Sequence, residues 1–216
     1  MQLALAETGV VVYVPAATAQ RTLVWVDRQR KETPVGLPVR AYSHPRVSPD
    51  GARILVTMRD RGLDVYVWDV ARAMLRQLTF DPMPNYTAVW LDSHRLAFWA
   101  RGTSSRPQVS TLAADGSSGP RQLTNDANLP TYPVAASRDG KLLLVTEITG
   151  EGNNIGVIPI ENPEKRRPRV IRGTNPVLSP NSQWLAYESG KTGRQEIYVR
   201  LFPETFAGVR ARRGSF

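Results

Sequence analysis

The sequence predicts an all-β protein built from a repeated antiparallel unit of four short strands. Two observations predict it: a four-residue turn returns at a nearly fixed period along the chain, and an apolar strand run returns at the same period behind it. The sixteen glycines and seventeen prolines agree with this, because such a composition suits a chain that turns every few residues. With 41% hydrophobic residues over 216 positions, the chain can also bury a substantial core.

The clearest copy of the turn is Ser48-Pro49-Asp50-Gly51. Proline presets φ at the first corner, aspartate can bond its own backbone, and glycine accepts a positive φ. Related turns end at residues 9, 93, 140 and 182. With residue 51 included, successive turn ends are separated by 42, 42, 47 and 42 residues. They read Ala6-Glu7-Thr8-Gly9, Trp90-Leu91-Asp92-Ser93, Ser137-Arg138-Asp139-Gly140 and Ser179-Pro180-Asn181-Ser182.

Each turn is followed by strand runs that also repeat. After the turn at Gly51, the run Ile54 to Met58 is followed by Asp64 to Trp68, both rich in β-branched or aromatic residues. The second run recurs as Leu23 to Asp27, Gln108 to Leu112, Ile155 to Ile158 and Glu196 to Arg200. A closing run recurs as Arg76 to Thr79 and Arg121 to Thr124. Four short strands at a period near 42 residues predict the blades of a β-propeller.

We therefore expect a single β-propeller over residues 1–216, with about five four-stranded antiparallel blades. The expected division is a partial blade at 9–40, blades at about 41–80, 84–125, 130–172 and 174–203, and an irregular basic tail at 204–216. The first blade is expected to begin at its second strand, so that the chain forms either a tight five-bladed ring or an incomplete, open arc that is part of a longer parent. Unpaired blade edges in such an arc would favour self-association.

The innermost strand of each blade should be the segment before each turn, and these segments should line the central channel. We expect them at Tyr42 to Val47, Tyr86 to Val89, Tyr132 to Ala136 and Asn175 to Leu178. The candidate residues for binding a partner at the channel mouth are Tyr42, His44, Arg46, Tyr86 and Tyr132. The tyrosines begin these segments, whereas His44 and Arg46 do not recur in other blades. The five tryptophans lie inside strand runs and are expected in the core between blades.

The net charge of +9 is unevenly placed, with +6 in residues 161–216 and +3 in the first 160. The candidate basic surface consists of Lys165, Arg166, Arg167, Arg169 and Arg172. A basic region can bind nucleic acid or another anionic polymer. The charges are scattered over strands and loops, without a basic helix or an RNA-binding aromatic motif, which argues against nucleic acid. Binding of an anionic polymer stays open as the weaker alternative.

Residues for catalysis or metal binding are sparse. The chain has no cysteine and two histidines, His44 and His94, each near a turn, where a solvated loop histidine is the simpler interpretation. The segment Gly190-Lys191-Thr192 lacks the earlier glycine of a phosphate-binding loop and is interpreted as a polar hairpin loop. We expect no catalytic residues, no metal and no cofactor. No apolar run of about eighteen residues is present, and Met1 to Glu7 lacks the pattern of a secretory signal.

The repeat resembles the TolB-like propeller repeats, which carry a Ser-Pro-Asp-Gly turn before an apolar strand and an acidic-Ile/Val-Tyr-Val strand behind it. The resemblance covers roughly Gly9 to Pro203. The segments Thr22 to Arg28, Tyr42 to Gly51 and Glu196 to Pro203 are most similar to the C-terminal propellers of bacterial eukaryotic-like serine/threonine kinases. The chain departs from the pattern at Trp90 to Ser93 and after Pro203.

The resemblance implies a non-catalytic interaction or sensor module for a protein or peptide partner, within a larger signalling protein. It also implies a periplasmic or extracytoplasmic location for a longer parent. The alternative from another class is the substrate-gating propeller of a serine peptidase of the prolyl-oligopeptidase type. The Gly-rich loop, the catalytic-loop aspartate and the Asp-Phe-Gly motif of kinases are absent from the sequence.

Overall fold

The computed structural model describes residues 2–5, 11–14, 20–59, 63–80, 87–100, 106–126, 128–165 and 167–202. Within these ranges the chain forms nineteen β-strands and one short 3₁₀ helix, Pro163–Lys165. The strands are arranged in five antiparallel sheets. The all-β fold class predicted from the repeat is confirmed. None of the described helical residues forms a segment long and apolar enough to cross a membrane.

The strands follow one another across each sheet in chain order. The first sheet contains β1 (Gln2–Leu5), β2 (Val11–Val14), β3 (Val24–Val26) and β4 (Glu32–Pro34). The second contains β5 (Tyr42–Val47), β6 (Arg53–Arg59), β7 (Leu63–Asp69) and β8 (Met74–Gln77). The third contains β9 (Ala88–Trp90), β10 (Arg95–Ala100), β11 (Gln108–Ala113) and β12 (Arg121–Gln122). The fourth contains β13 (Thr131–Ala136), β14 (Leu142–Thr149), β15 (Gly152–Pro159) and β16 (Arg167–Arg172), and the fifth contains β17 (Thr174–Leu178), β18 (Trp184–Ser189) and β19 (Glu196–Leu201).

The first strand of each sheet lies at the centre of the assembly. Strand β1 contacts β5, β5 contacts β9, β9 contacts β13 and β13 contacts β17. The sheets are thus the blades of a propeller, and these five strands surround the central channel. Among the described residues, extensive contacts do not join β17 back to β1, so the arrangement is an incomplete ring.

The core consists of layers between successive blades, because alternate residues of each strand point to opposite faces of its sheet. On β6, Ile54 and Val56 pack towards the first blade, whereas Leu55 packs towards the third. On β14, Leu143 and Val145 pack towards the third blade, and Leu144 packs towards the fifth. These two strands are therefore apolar on both faces, as blade stacking requires.

The first blade corrects the sequence-based boundary at residue 9. Strand β1 pairs with β2 in register from Gln2 opposite Val14 to Leu5 opposite Val11, so this blade has an innermost strand. The segment Gln2–Leu5 contains no β-branched or aromatic residue, and its intrinsic β-propensity is low. The pairing with β2 decides its conformation, and nothing in the local sequence indicates it.

The fifth blade exposes its outer face, which we call the free face. The apolar side chains on it are well exposed, among them Ile197 at 67% and Val177 at 62%, with Val199, Leu201 and Trp184 beside them. The intervening residue Tyr198 packs towards the fourth blade. Trp184 is 46% exposed, which corrects the prediction that all five tryptophans pack in the core. The predicted tail at 204–216 lies outside the described residues.

Candidate binding site in the central channel

A cavity of about 820 Å³ occupies the channel where the innermost strands end. It is lined by the second half of β5, by the end of β9, by β13 and β17, and by the turns that follow them. Most lining side chains are apolar, namely Val47, Pro49, Trp90, Leu91, Val134, Ala135, Ala136, Pro176, Val177, Leu178 and Pro180. The charged lining residues are Arg46 and Arg138, and no acidic residue lines the cavity among the described residues.

The turns around this mouth form what we call the turn collar: Ser48–Gly51, Trp90–Ser93, Ser137–Gly140 and Ser179–Ser182. In the second blade, the Ser48 hydroxyl donates to Oδ1 of Asp50 and accepts from the backbone amide of Arg53 at 2.9 Å. The Asp50 carboxylate also accepts from the amide of Ala52 at 3.1 Å. Ser137 with Asp139, and Ser179 with Asn181, repeat this arrangement. The repeated aspartates therefore hold turns, as Asx-type bonding predicts.

The turn collar also links neighbouring blades. The Arg53 guanidinium donates to the carbonyl of Ser93 at 2.8 Å, and the backbone amide of Arg138 donates to the Ser182 hydroxyl at 2.7 Å. Gly140 has φ of +66°, and a Cβ atom there would lie 2.7 Å from the carbonyl oxygen of Leu91. The four turns are thus packed into one rim, and the mouth of the cavity has a fixed shape.

The third turn departs from the pattern in a way that builds the cavity wall. Trp90 stands where the other collar turns have a serine, and its side chain is 8% exposed. Its indole Nε1 donates to the carbonyl oxygen of Arg46 at 2.9 Å. Asp92 still accepts from the amides of His94 and Arg95, so the turn keeps its backbone bonding. The substitution of serine by tryptophan joins β9 to β5 and adds an aromatic surface to the channel.

Arg46 is the predicted site residue that the structure places in the cavity lining. Its guanidinium donates to the carbonyl of Pro45 at 3.1 Å. The surrounding protein atoms lower the pKa of Arg46 by desolvation, although part of the side chain reaches solvent in the channel. An arginine keeps its proton under such a shift, so a positive charge stands in the channel at neutral pH.

His44 lies within β5, two residues before Arg46, and is half-buried. The prediction of a solvated loop histidine is thus wrong for His44, although His94 is an exposed turn residue. Desolvation, and next the charge of Arg46, lower the pKa of the His44 imidazole, which favours its neutral form near pH 7. The residue has φ of +51°, as does Asn175, and each precedes a proline. Both lie seven residues before the last residue of the following turn.

These two residues mark β-bulges in the innermost strands. On β5, Ser43 pairs with Thr57 and Arg46 with Leu55, so β5 has one extra residue. Strand β17 has the same irregularity between Thr174 and Val177. A bulge shifts the alternation of side chains by one residue, and the prolines behind it supply no amide to the ladder.

The structure describes two of the three candidate tyrosines, Tyr42 and Tyr132, and places them in different surroundings. Tyr42 is fully buried in the layer between the first and second blades, which removes it from the accessible surface and corrects the prediction. Tyr132 pairs with Thr146 on β14, and Ser43 pairs with Thr57 at the equivalent position on β6. Tyr132 is therefore equivalent to Ser43 and is displaced by one residue from the position of Tyr42. The centroid of the Tyr132 ring lies 5.5 Å from the centroid of the Trp99 ring. Tyr132 is near the end of the channel that is away from the collar. Tyr86 lies outside the described residues.

Three residues of the candidate basic surface, Arg167, Arg169 and Arg172, belong to β16, the outermost strand of the fourth blade. Arg172 forms an ion pair with Glu151, so its charge is compensated locally. Arg166 and the side chains of Lys165, Arg167 and Arg169 lie outside the described part of the structure. The described candidates are therefore divided among the channel, the core and the rim and do not form one site.

The described residues contain no group of three His, Cys, Asp or Glu side chains that could hold a metal ion. The residues that sequence reasoning missed are Trp90, Arg138 and the small side chains Ala135 and Ala136 of β13. The departure of the third turn from the Ser-Pro-Asp-Gly pattern was the available signal for Trp90. The alanines carry no signal of their own, because they contribute space to the cavity.

No family model matches the sequence, and no curated protein matches it. Solved structures do match the fold. TolB from Acinetobacter baumannii superposes with a TM-score of 0.73 at 17% identity, over 93% of this chain and 51% of that chain. A TolB from Agrobacterium tumefaciens gives 0.67 at 22% identity, over 87% and 67%. A prolyl endopeptidase structure gives 0.60 at 14% identity, over 94% and 36%. The chain has a TolB-like propeller fold and spans about half the length of the first of these structures.

Proposed function

We propose that this chain is a non-catalytic interaction module that holds a protein or peptide segment in its channel cavity. The observation that carries the proposal is the cavity itself. At about 820 Å³, with an apolar lining and a few polar groups, it has the size and composition of a ligand pocket. The residues that bound it come from four blades.

The rigidity of the turn collar supports binding without large rearrangement. Hydrogen bonds within each turn and between neighbouring turns hold the rim, and the blades behind it are close-packed layers. A preformed cavity lowers the entropic cost of binding, because few side chains must be ordered when the ligand enters. In line with the resemblance to kinase-linked propellers, we propose that the module serves a larger signalling protein.

A selection experiment with a blocked cavity tests the proposal. A random peptide library displayed on phage is selected against the chain, and the enriched peptides are measured against two variants. Val134→Trp fills the cavity from a half-buried lining position, whereas Val39→Trp makes the same change at a 54% exposed position outside the lining. We expect enriched peptides to lose binding to V134W and to keep it for V39W. Peptides that bind both variants equally, or a selection without enrichment, would contradict the proposal.

The second candidate is the substrate-gating propeller of a prolyl-oligopeptidase-type serine peptidase, favoured by the match to the prolyl endopeptidase structure. That candidate requires a hydrolase domain with a nucleophilic serine in the same polypeptide. Native protein captured with an antibody to this chain and treated with a fluorophosphonate probe would be labelled if it holds such a serine. A labelled band that contains this chain would favour the peptidase over the interaction module.

A further inference from the structure

We propose that the channel cavity selects ligands that carry a carboxylate, and that Arg46 is the group that binds it. This inference rests on the proposed function, since it names the chemistry of the segment that the cavity would hold. Arginine is suited to the role because its planar guanidinium can make two parallel hydrogen bonds to one carboxylate.

Arg46 is an exception to the repeat. The positions equivalent to it, each five residues before the last residue of the following turn, are Ala88, Ala135 and Val177. Apart from Arg46, the five innermost strands contain no lysine, arginine, aspartate or glutamate. Building a blade does not require a charge at this position. We therefore attribute the arginine to the binding of a ligand that enters the channel.

The charge of Arg46 is not compensated by an ion pair among the described residues. The exposed arginines 72, 95, 172 and 194 each pair with a carboxylate. Arg46 is also an exposed residue, and it donates to the carbonyl of Pro45, a neutral acceptor, as Arg53 donates to the carbonyl of Ser93. A carboxylate brought by a ligand would give the guanidinium a charged acceptor, which forms a stronger hydrogen bond than a neutral carbonyl does.

The carboxylates closest in sequence to the two lining arginines, Arg46 and Arg138, form hydrogen bonds within their own turns. Asp50 and Asp139 accept hydrogen bonds from Ser48 and Ser137 and from backbone amides of their own turns. Arg138 adds a second cation to the lining, so the described lining carries positive charge and no negative charge. A site of this kind attracts an anionic group and discriminates against cationic ligands.

The rest of the lining indicates what bears the carboxylate. Valine, leucine, proline and alanine side chains surround the two arginines. Two cations within an apolar wall suit one acidic group on an apolar peptide better than a densely charged polymer, whose binding needs a continuous basic track. The carboxylate can be an Asp or Glu side chain or the C-terminus of the peptide.

Three pools of synthetic pentapeptides, each made with Ala, Val, Leu and Pro, test the inference. Two pools have blocked ends, with Asp or Glu at the centre of one and Asn or Gln at the centre of the other. The third keeps the Asn or Gln centre and has a free C-terminal carboxylate. Binding is followed by NMR titration of the labelled chain, for the wild type and for Arg46→Gln, Arg46→Lys and the rim variant Arg172→Gln.

We expect at least one carboxylate pool to bind about tenfold more tightly than the blocked amide pool. Preference for the first pool identifies a side-chain carboxylate, and preference for the third identifies a C-terminus. R46Q should abolish the preference, R46K should keep part of it, and R172Q should leave it unchanged. The comparison among pools on the wild-type chain stands even if R46Q does not fold.

Equal binding of all three pools would overturn the inference while leaving the proposed function intact, and so would a preference that survives in folded R46Q. No binding of any pool up to about 1 mM would overturn the inference as well. If the phage selection also yields no cavity-dependent peptide, the proposed function fails with it. The two failures are thus distinguishable.

Discussion

The indole Nε1 of Trp90 lies 2.9 Å from the carbonyl oxygen of Arg46 and donates a hydrogen bond to it. This contact joins the innermost strands of two blades through a residue that replaces the serine of the repeated turn. It fixes the backbone beneath the Arg46 guanidinium and forms part of the cavity wall. The one irregular turn of the collar and the one charged residue of the innermost strands therefore belong to the same feature.

Replacing Trp90 with phenylalanine should destabilise the chain by about 1 to 2 kcal/mol, since the Arg46 carbonyl loses its donor and the buried layer loses volume. Urea unfolding followed by circular dichroism measures the change. Trp184→Phe is the matched control, because Trp184 lies on the free face and its replacement should change stability by less than about 0.5 kcal/mol. Equal effects of the two substitutions would contradict the role assigned to Trp90.

Two glycines of the turn collar have similar φ and different surroundings. Gly51 has φ of +73° with no atom within 4 Å of a built Cβ, whereas a Cβ at Gly140 would meet the Leu91 carbonyl. Gly51→Ala should cost about 1 kcal/mol from backbone strain alone. Gly140→Ala should cost about 1 to 2 kcal/mol more, because it also forces two turns apart. Thermal unfolding of both variants checks the difference, and equal midpoints would show that the turns are not in contact.

The carboxylate of Glu196 should titrate far below its ordinary range. Hydrogen bonds from Thr192, from the Tyr198 hydroxyl and from Arg194 lower its pKa from 4.5 to about 2. Because the folded pKa lies below the unfolded one, this contribution to stability is complete above the unfolded pKa and is lost as the pH falls towards 2. NMR titration of the carboxyl carbon measures the value. Thr192→Val should raise the pKa, and a wild-type value near 4.5 would refute the bonding scheme.

The free face should promote self-association at high protein concentration. Ile197 and Val199 are exposed side by side on β19 without a covering blade, and contiguous apolar surface of this kind favours association. The double variant Ile197→Thr, Val199→Thr keeps β-branched side chains while reducing apolar area, and it should shift the sedimentation coefficient towards that of the monomer. Val39→Thr serves as the exposed control elsewhere. If both proteins associate to the same extent, the free face is not responsible.

Much of the blade architecture could be predicted because it depends on local chemistry. The Ser-Pro-Asp-Gly turn at Ser48 makes its hydrogen bonds within six residues, so the sequence alone specifies it. The predicted innermost segment Tyr42 to Val47 coincides with β5. Gln2–Leu5 was missed because its strand conformation depends on pairing with β2 and not on residue preference.

The candidate site could be predicted only in part. Arg46, which the sequence marks because it does not recur, lines the cavity, whereas Tyr42, which the sequence predicts in the channel, lies in the core. One extra residue in β5 displaces the alternation of side chains, and a shift of one residue moves a side chain to the opposite face. Since the sequence does not show where a bulge falls, it could not assign these residues to channel or core.

The sequence by itself determined the repeat, the turns and the two-faced apolar strands, because each depends on residues close together along the chain. Only the tertiary structure decided that β5, β9, β13 and β17 enclose one cavity, that Trp90 reaches Arg46, and that one face of the last blade stays uncovered. These features arise where residues from different blades meet. Their positions depend on how the twisted sheets stack around the channel, which no single repeat encodes.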